Sequence, residues 1–235
     1  QSLNDNFNLR RLERYLVMVN EAGIEPVILL SKCDLIPREE LDEIKKKVLS
    51  VAPQANVMAF SNVNRENIDS IISLLKKGCS YCLLGSSGVG KTTLLNSIIG
   101  NEEFETRSVS KVQGKGRHTT TSRQLVRLES GAMIIDTPGM RELGSLSVDD
   151  GLDETFSEIL EFSKSCKFSN CSHTNEKGCA ILAAIESGEL SESRYQNYLK
   201  MKKESEFNQM SYLEKRKKDK SFGKMVKSVM KEKKR

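Results

Sequence analysis

A chain of 235 residues, of which 37% are hydrophobic, is long enough for one α/β domain of ordinary size and a smaller appendage. It contains neither an apolar stretch near the roughly 20 residues that span a bilayer nor a charged-then-apolar leader with a cleavage site, so we expect a cytoplasmic monomer without membrane contact. The net charge of +5 arises in residues 214–235, where 11 Lys or Arg accompany 3 acidic residues, and such a tail is either a solvated end or an arm that binds nucleic acid.

The first predicted elements are a helix and a buried strand. Residues 10–22 carry apolar side chains at helical spacing and end before Gly23, and "PVILLS" follows as the strand. Because the sequence begins with Gln1 and not with Met, we expect it to be a fragment of a longer protein.

The strand runs into Ser31-Lys32-Cys33-Asp34, the first guanine loop, which is similar to the Asn-Lys-x-Asp loop of GTP-binding proteins. Asp34 would accept hydrogen bonds from guanine N1 and N2, Lys32 would lie along the base, and Ser31 would brace the loop in place of the usual Asn. Cys33 lies between them and is assigned to the same nucleotide site. Such a loop ordinarily follows the phosphate-binding loop, but here it comes first.

A second strand also ends in residues suited to reading guanine. A charged amphipathic helix over residues 37–50 leads to this short strand, residues 57–60. Ser61 and Asn62 follow it and form the second guanine loop, at the place where GTP-binding proteins contact the guanine carbonyl. Residues 66–78 then predict a helix that stops at a glycine.

"GSSGVGKTT" matches the phosphate-loop pattern G-x-x-x-x-G-K-[ST], with the strand "CSYCLLG" before it and the helix "KTTLLNSIIG" after it. Its glycines let consecutive N–H groups curl around an anion, and the helix N-terminus adds positive potential. Lys91 would reach the β- and γ-phosphates as a catalytic residue, and the Thr92 hydroxyl would bind Mg²⁺. The predicted nucleotide-binding residues of this phosphate loop are Gly85, Ser86, Ser87, Gly88, Val89, Gly90, Lys91, Thr92 and Thr93.

Cys79 and Cys82 form a C-x-x-C at the strand that enters the phosphate loop. Residues three apart on a strand point to opposite faces, so these two cysteines do not easily share a metal or a disulfide. We interpret them as packing residues.

The segment after the phosphate loop supplies its companions. Residues 105–122 lack periodicity and predict a mobile loop, in which Thr120 or one of its threonine neighbours would complete the Mg²⁺ shell. "RQLVRLE" and "AMIID" predict two strands joined at Ser130-Gly131. The second strand ends in "IIDTPG", where Asp136 would hold Mg²⁺ through water and Gly139 would present its N–H to a γ-phosphate.

The alternation of strands and helices predicts an α/β fold with a mainly parallel sheet covered on both faces. The order of the motifs is that of a GTPase cut once and rejoined, which is a circular permutation. With these motifs the sequence resembles the circularly permuted P-loop GTPases of the RsgA/YjeQ family, which assist assembly of the small ribosomal subunit. Members of that family carry an N-terminal OB-fold domain before this point. Ser31 departs from the usual Asn, which predicts somewhat weaker guanine binding.

Beyond about residue 145 the strand signals cease, and helical segments surround a loop rich in Cys and His. Three thiolates and one imidazole form the closed tetrahedral ligand set of structural zinc, although unrelated Cys and His in a loop are the alternative. The predicted ligands of one zinc ion are Cys166, Cys171, His173 and Cys179. We therefore divide the chain into a permuted GTPase domain (1–148), a mainly helical zinc-binding domain (149–213) and a basic C-terminal tail (214–235).

Met140 stands where many GTPases place the glutamine that orients the attacking water, and methionine cannot do so. The chain contains two histidines, of which His173 is assigned to zinc. His118, in the threonine-rich loop, is therefore the predicted catalytic residue, as the resemblance also implies. The alternative is a loop histidine that contacts solvent or rRNA.

These motifs favour a GTP hydrolase that uses Mg²⁺ with GTP, binds the small ribosomal subunit and its rRNA, and leaves after hydrolysis to GDP and phosphate. One alternative is a GTP-dependent metallochaperone, in which the zinc is cargo. Another is an RNA-binding module that senses GTP without significant turnover, because a poor catalyst and a binder look alike in sequence.

Overall fold

Helices and strands alternate from Leu9 to Ile99, as the sequence predicts. The computed structural model describes residues 1–4, 6–100, 124–136 and 148–232. The chain divides into two units, Gln1–Leu143 and Gly144–Arg235. In chain order the first unit contains α1 (Leu9–Glu21), β1 (Val27–Ser31), a 3₁₀ turn (Cys33–Leu35), α2 (Arg38–Val51), β2 (Asn56–Phe60), α3 (Ile68–Leu74), β3 (Ser80–Leu83), α4 (Lys91–Ile99), β4 (Gln124–Arg127) and β5 (Met133–Asp136).

The strands pair mainly in parallel, which confirms the predicted α/β class. β1 and β2 are parallel, with Val27 opposite Asn56, and β3 is parallel to β5. β4 and β5 form the predicted antiparallel pair across Ser130-Gly131. Within the described residues these strands make two sheets, β1-β2 and β3-β5-β4, where the sequence suggested a single sheet.

Helices cover both faces of the β1-β2 sheet because successive strand residues point to opposite faces. Ile28 and Leu30 pack with α1 and α2, whereas Leu29 lies in a second cluster with α3 and α4. β2 repeats the alternation, with Ala59 in the first cluster and Phe60 in the second. Because β1 and β2 are parallel and end with Ser31 opposite Phe60, the two guanine loops that follow these strands begin at the same edge of the sheet.

The second unit is helical in its described part. It consists of α5 (Asp149–Thr155), α6 (Ser157–Lys164), α7 (Ala180–Ser187), α8 (Glu192–Gln209) and α9 (Tyr212–Glu232). Its buried residues include Phe156 and Tyr198, whose ring centroids lie 5.4 Å apart. The buried Arg194 pairs with Glu158, donates to the Thr155 carbonyl at 2.7 Å and lies over the Phe156 ring. These three contacts offset the cost of burying its positive charge.

Two sequence interpretations need correction. The helix predicted over residues 66–78 forms only from Ile68 to Leu74, because Asn67 is left-handed (φ 59°) and Leu75 is extended. Cys79 and Cys82 are both exposed, so they are not packing residues.

Several boundaries remain predictions. The division between the two units falls after Leu143, somewhat before the predicted boundary at residue 148. A separate tail from residue 214 stays a prediction, since α9 begins at Tyr212 and continues to Glu232. Among the described residues, no helix has the length and apolar character needed to cross a membrane.

Candidate nucleotide site and metal centre

The phosphate loop, residues 85–92, joins β3 to the N-terminus of α4. Gly88 and Gly90 have φ of 79° and 92°, values that L-residues with side chains rarely adopt. The Lys91 ammonium donates to the carbonyls of Gly85 at 2.6 Å and Ser86 at 3.1 Å, so it lies across the loop. Thr92 is the second residue of α4, which places its hydroxyl in the first helical turn.

Ser31 connects the first guanine loop to the phosphate loop. Its buried hydroxyl donates to the Val89 carbonyl at 2.7 Å. Lys32, next in the chain, is left-handed (φ 64°), and this conformation turns the chain into the 3₁₀ turn that carries Asp34 with an exposed side chain. The geometry therefore contains the brace expected of Ser31 and leaves the Asp34 carboxylate accessible.

Glu66 ties the two guanine loops together, a role that the sequence did not suggest. Its carboxylate accepts a hydrogen bond from the Cys33 thiol at 3.5 Å, and its carbonyl accepts the Ser61 N–H at 3.2 Å. Burial, followed by the nearby Glu66 charge, raises the pKa of Cys33 to about 11. Cys33 is therefore a protonated packing and hydrogen-bonding group within the loop.

The second guanine loop is held by its own side chains. Ser61 is fully buried, and its hydroxyl accepts the N–H of Val63 at 3.1 Å. The Asn62 amide donates to the Gly90 carbonyl at 3.4 Å, which links this loop to the phosphate loop. Both guanine loops thus hydrogen-bond to consecutive carbonyls, those of Val89 and Gly90.

The remaining predicted nucleotide residues are only partly described. Asp136 is the last residue of β5 and pairs in register with Leu83, at the end of β3 that enters the phosphate loop. Its backbone therefore lies beside that loop's entry. His118, Thr120 and Gly139 lie outside the described residues.

The four predicted zinc ligands come together in the second unit. The ligand atoms of Cys166, Cys171, His173 and Cys179 all lie within 4.8 Å of one another and could hold a metal ion. The His173 Nδ1 lies 3.5 Å from the Cys166 sulfur and 3.4 Å from the Cys179 sulfur, and those two sulfurs are 4.0 Å apart. A tetrahedral zinc site requires edges of ~3.6 Å between sulfur and nitrogen and ~3.8 Å between sulfurs, so the donor set fits.

The N-terminus of α7 supports one of these thiols. Burial acts to raise the pKa of Cys166, but the N–H groups of Ala180 and Ile181 and the neighbouring thiols outweigh it and hold the pKa below its ordinary value. The Ala180 N–H lies 3.4 Å from the sulfur. Burial raises the pKa of Cys171 to about 11. The pKa values of the two thiols are therefore shifted in opposite directions, although the thiols face the same centre.

Sequence reasoning missed the residues that shape this metal-binding loop. The Tyr195 hydroxyl, from α8, donates to the His173 carbonyl at 3.3 Å. Hydrogen bonds from the Ser172 hydroxyl and N–H, and from the Thr174 N–H, lower the pKa of Glu176 to about 2. Gly178 is required by space, because an added Cβ would lie 2.9 Å from the Lys167 Cβ. Local spacing gives no signal for the Tyr195 contact, which spans 22 residues.

Comparisons with known proteins agree with this geometry. The model of a protein family described as RsgA GTPase matches residues 1–146. Small ribosomal subunit biogenesis GTPase RsgA 2 of Vibrio parahaemolyticus is 41% identical over 234 residues, which are 100% of this chain and 65% of that protein. The corresponding RsgA 1 of Bacteroides thetaiotaomicron is 43% identical over 236 residues, covering 99% and 65%. The chain therefore spans about two thirds of the length of these relatives.

Solved structures show the same fold. YjeQ from Thermotoga maritima superposes with a TM-score of 0.61 at 28% identity, covering 87% of this chain and 69% of that chain. YloQ, described as a circularly permuted GTPase, gives 0.60 at 28% identity, covering 90% and 68%. The permuted motif order and the α/β architecture are thereby confirmed.

Proposed function

Since this chain belongs to the RsgA GTPase family, we propose that it is the GTP-hydrolysing part of a factor for late assembly of the small ribosomal subunit. It would bind rRNA in the GTP state and leave after hydrolysis to GDP and phosphate. The proposal rests on the family and on the hydrogen bonds that join the guanine loops to the phosphate loop.

That pair of hydrogen bonds carries the proposal because a phosphate loop alone does not distinguish GTPases from ATPases. Ser31 and Asn62 fix the loops that would read guanine against the loop that would hold the phosphates. In this frame Asp34 would select guanine through the base N1 and N2 hydrogens, and Lys32 would lie along the base. One bound nucleotide would then contact the guanine loops with its base and the phosphate loop with its phosphates.

Lys91 would act at the phosphates. Its ammonium now donates to two neutral carbonyls. Phosphate oxygens accept stronger, charge-assisted hydrogen bonds, so the phosphates of a bound nucleotide would replace the two carbonyls as acceptors of the Lys91 ammonium. Thr92, Asp136 and Thr120 would hold Mg²⁺, which supplies neutralisation of charge on the β- and γ-phosphates. Gly139 would present its N–H to the γ-phosphate.

His118 would orient the attacking water, because Met140 cannot form that hydrogen bond. Lys91 also contacts phosphate before the reaction, whereas His118 would act only in hydrolysis. This difference separates the two residues experimentally.

The metal centre would hold one structural zinc ion through Cys166, Cys171, His173 and Cys179. Four protein ligands leave no position for water or for ready transfer, which favours a permanent ion over cargo. The zinc-binding domain and the basic tail would contact rRNA phosphates in the cytoplasm.

A multiple-turnover phosphate-release assay, with and without small ribosomal subunits, tests the proposal. The wild-type chain should hydrolyse GTP slowly and faster with subunits. Lys91→Ala should lose GTP binding, and His118→Ala should keep binding but lose stimulation by the subunit. GTP binding without turnover in either condition would favour the GTP-sensing RNA module, and loss of zinc to a partner protein would favour the metallochaperone.

A further inference from the structure

Asn62 donates a hydrogen bond to the carbonyl of Gly90, the N-cap residue of α4. The Gly90 carbonyl accepts the Leu94 N–H at 2.9 Å as the first hydrogen bond of the helix, and the Asn62 Nδ2 donates to the same oxygen at 3.4 Å. Because that oxygen can only accept, the amide nitrogen must face it. The second guanine loop is therefore attached directly to the helix N-terminus that follows the phosphate loop.

Hydrogen bonds of its own hold the rest of the second guanine loop. Ser61 is fully buried, its N–H donates to the Glu66 carbonyl, and its hydroxyl accepts the Val63 N–H. The Asn67 amide donates to the Ala59 carbonyl at 2.8 Å and fixes the loop to β2. A displacement of the second guanine loop would therefore strain or break the hydrogen bond between Asn62 and Gly90 at the start of α4.

Space at this contact is also matched. An added Cβ at Gly90 would lie 3.0 Å from the Asn62 Nδ2, so the amide occupies the room that the glycine leaves. The Asn62 Oδ1 is buried and has no hydrogen-bond partner among the residues that the structure describes. A buried acceptor without a partner destabilises the protein. Packing stability alone therefore does not account for an asparagine here.

From these contacts we infer that Asn62 is a positioning residue that clamps the second guanine loop to the phosphate loop and slows release of a bound guanine nucleotide. This inference rests on the proposed GTP binding. The clamp keeps the base-reading and phosphate-holding loops from separating, and separation of these loops is what release of a nucleotide spanning both requires.

Release of a fluorescent GDP analogue from the purified chain tests the clamp, with an excess of unlabelled GDP to prevent rebinding. Asn62→Leu keeps much of the side-chain shape but cannot donate, and it should release the analogue about fivefold faster, as loss of one neutral hydrogen bond implies. Asn62→Ala should do the same. Val63→Ala is the matched control, because Val63 follows Asn62 directly and is 85% exposed. This variant should release the analogue at the wild-type rate.

Thermal unfolding of the nucleotide-free variants separates a clamp from a structural support. Asn62→Ala removes both the hydrogen bond to Gly90 and the partnerless Oδ1, whose effects on stability oppose each other, so its melting temperature should stay within about 2 °C of the wild type or rise. Faster release at unchanged stability supports the clamp. Wild-type release rates in both Asn62 variants would overturn it, as would faster release explained by a large loss of stability. If the wild-type chain does not bind the analogue at all, the proposed function itself fails.

Discussion

Ser31 shows how a short side chain can replace a longer one at the first guanine loop. Its hydroxyl lies 2.7 Å from the Val89 carbonyl and 3.2 Å from the Gln1 carbonyl, but it has one hydrogen to donate. The shorter contact favours Val89, so the brace to the phosphate loop is the stronger one. The N-terminal segment adds backbone support, because the Ser31 N–H donates to the Gln1 carbonyl and the Leu3 N–H to the Ser31 carbonyl.

Asp34 is the residue on which nucleotide choice should depend. Asp34→Asn presents an amide whose oxygen can still accept from guanine N1 but whose NH₂ group faces the N2 donor of guanine. In xanthine a carbonyl replaces N2 and accepts from that NH₂ group. GTP affinity should fall by 10-fold or more, on the order of the 1.5–3 kcal/mol of a hydrogen bond to a charged group, and xanthosine nucleotides should gain affinity. Competition binding with GTP, XTP and ATP measures the change. Unchanged preference for GTP would show that Asp34 does not read the base.

At the residue scale, the sequence identifies groups whose chemistry is local and misses those whose partners are distant. Motif spacing predicts the phosphate loop, a brace from Ser31 and the four candidate metal ligands. Glu66 and Tyr195 do not, because their roles depend on contacts that only the folded chain creates. Asp34 and Asn62 can be named from sequence, but the attachment of Asn62 to Gly90 cannot.

Among the elements, the segment between α6 and α7 depends most on its side chains. Residues 165–179 form neither helix nor strand, so no regular ladder of backbone hydrogen bonds supports them. Glu176 and Tyr195 provide individual hydrogen bonds, and the exposed Phe168 contributes little burial. A metal ion bound by four ligands would therefore supply much of this segment's stability.

Cys171→Ser should lose the metal and loosen this segment. Elemental analysis should find about one zinc per wild-type chain and much less in the variant, because one of four ligands is gone. Hydrogen exchange should rise in residues 150–200, while binding of GTP by the first unit stays close to wild type. Cys79→Ser is the matched control, since Cys79 is exposed and lies apart from the four ligands in sequence, and it should keep its zinc. Full zinc retention in Cys171→Ser would mean that the ligand set is wrong.

The sequence predicts the order and type of the elements well, because apolar periodicity and glycine stops are local signals. It is less successful with the sheets and with α3. Strand pairing depends on contacts between distant residues, so the division into two sheets could not be predicted from local patterns. β3 is also short, with only four residues available for pairing. The early end of α3 follows from the left-handed Asn67 and the extended Leu75, which no periodicity predicts.

For the whole molecule, charge is distributed more unevenly than composition alone suggests. Residues 214–235 carry a net +8 against +5 for the chain, so the remainder is net acidic. α9 begins with a capping box, in which Ser211 and Glu214 hydrogen-bond reciprocally. Among the side chains of α9 that the structure describes, the exposed basic ones are Arg216, Lys217, Lys218 and Lys220. Lys215 and Lys218 lie over the Phe207 ring, and Tyr212 and Phe222 are exposed, so aromatic groups accompany the lysines.

The basic tail should govern how firmly the molecule associates with the small ribosomal subunit. Removal of residues 215–235 should weaken association and flatten its salt dependence, because each lost phosphate contact reduces the slope of log K against log salt by about 0.7–0.9. The GTP hydrolysis rate of protein already bound should not change, since the predicted nucleotide residues lie in the first unit.

A milder variant distinguishes charge from loss of the helix. Lys217→Gln and Lys220→Gln together neutralise two exposed side chains and leave α9 intact. Binding measured between 50 and 200 mM salt should then show a slope reduced by about 1.4–1.8 if both lysines contact phosphates. A slope reduced only by truncation would assign the phosphate contacts to other basic residues of the tail. Weaker association at an unchanged slope would instead assign recognition to the exposed aromatic side chains, which stack on bases with little dependence on salt. Unchanged affinity and an unchanged slope in both variants would make the tail a solvated end, and rRNA binding would then have to come from the helical unit around the candidate metal centre.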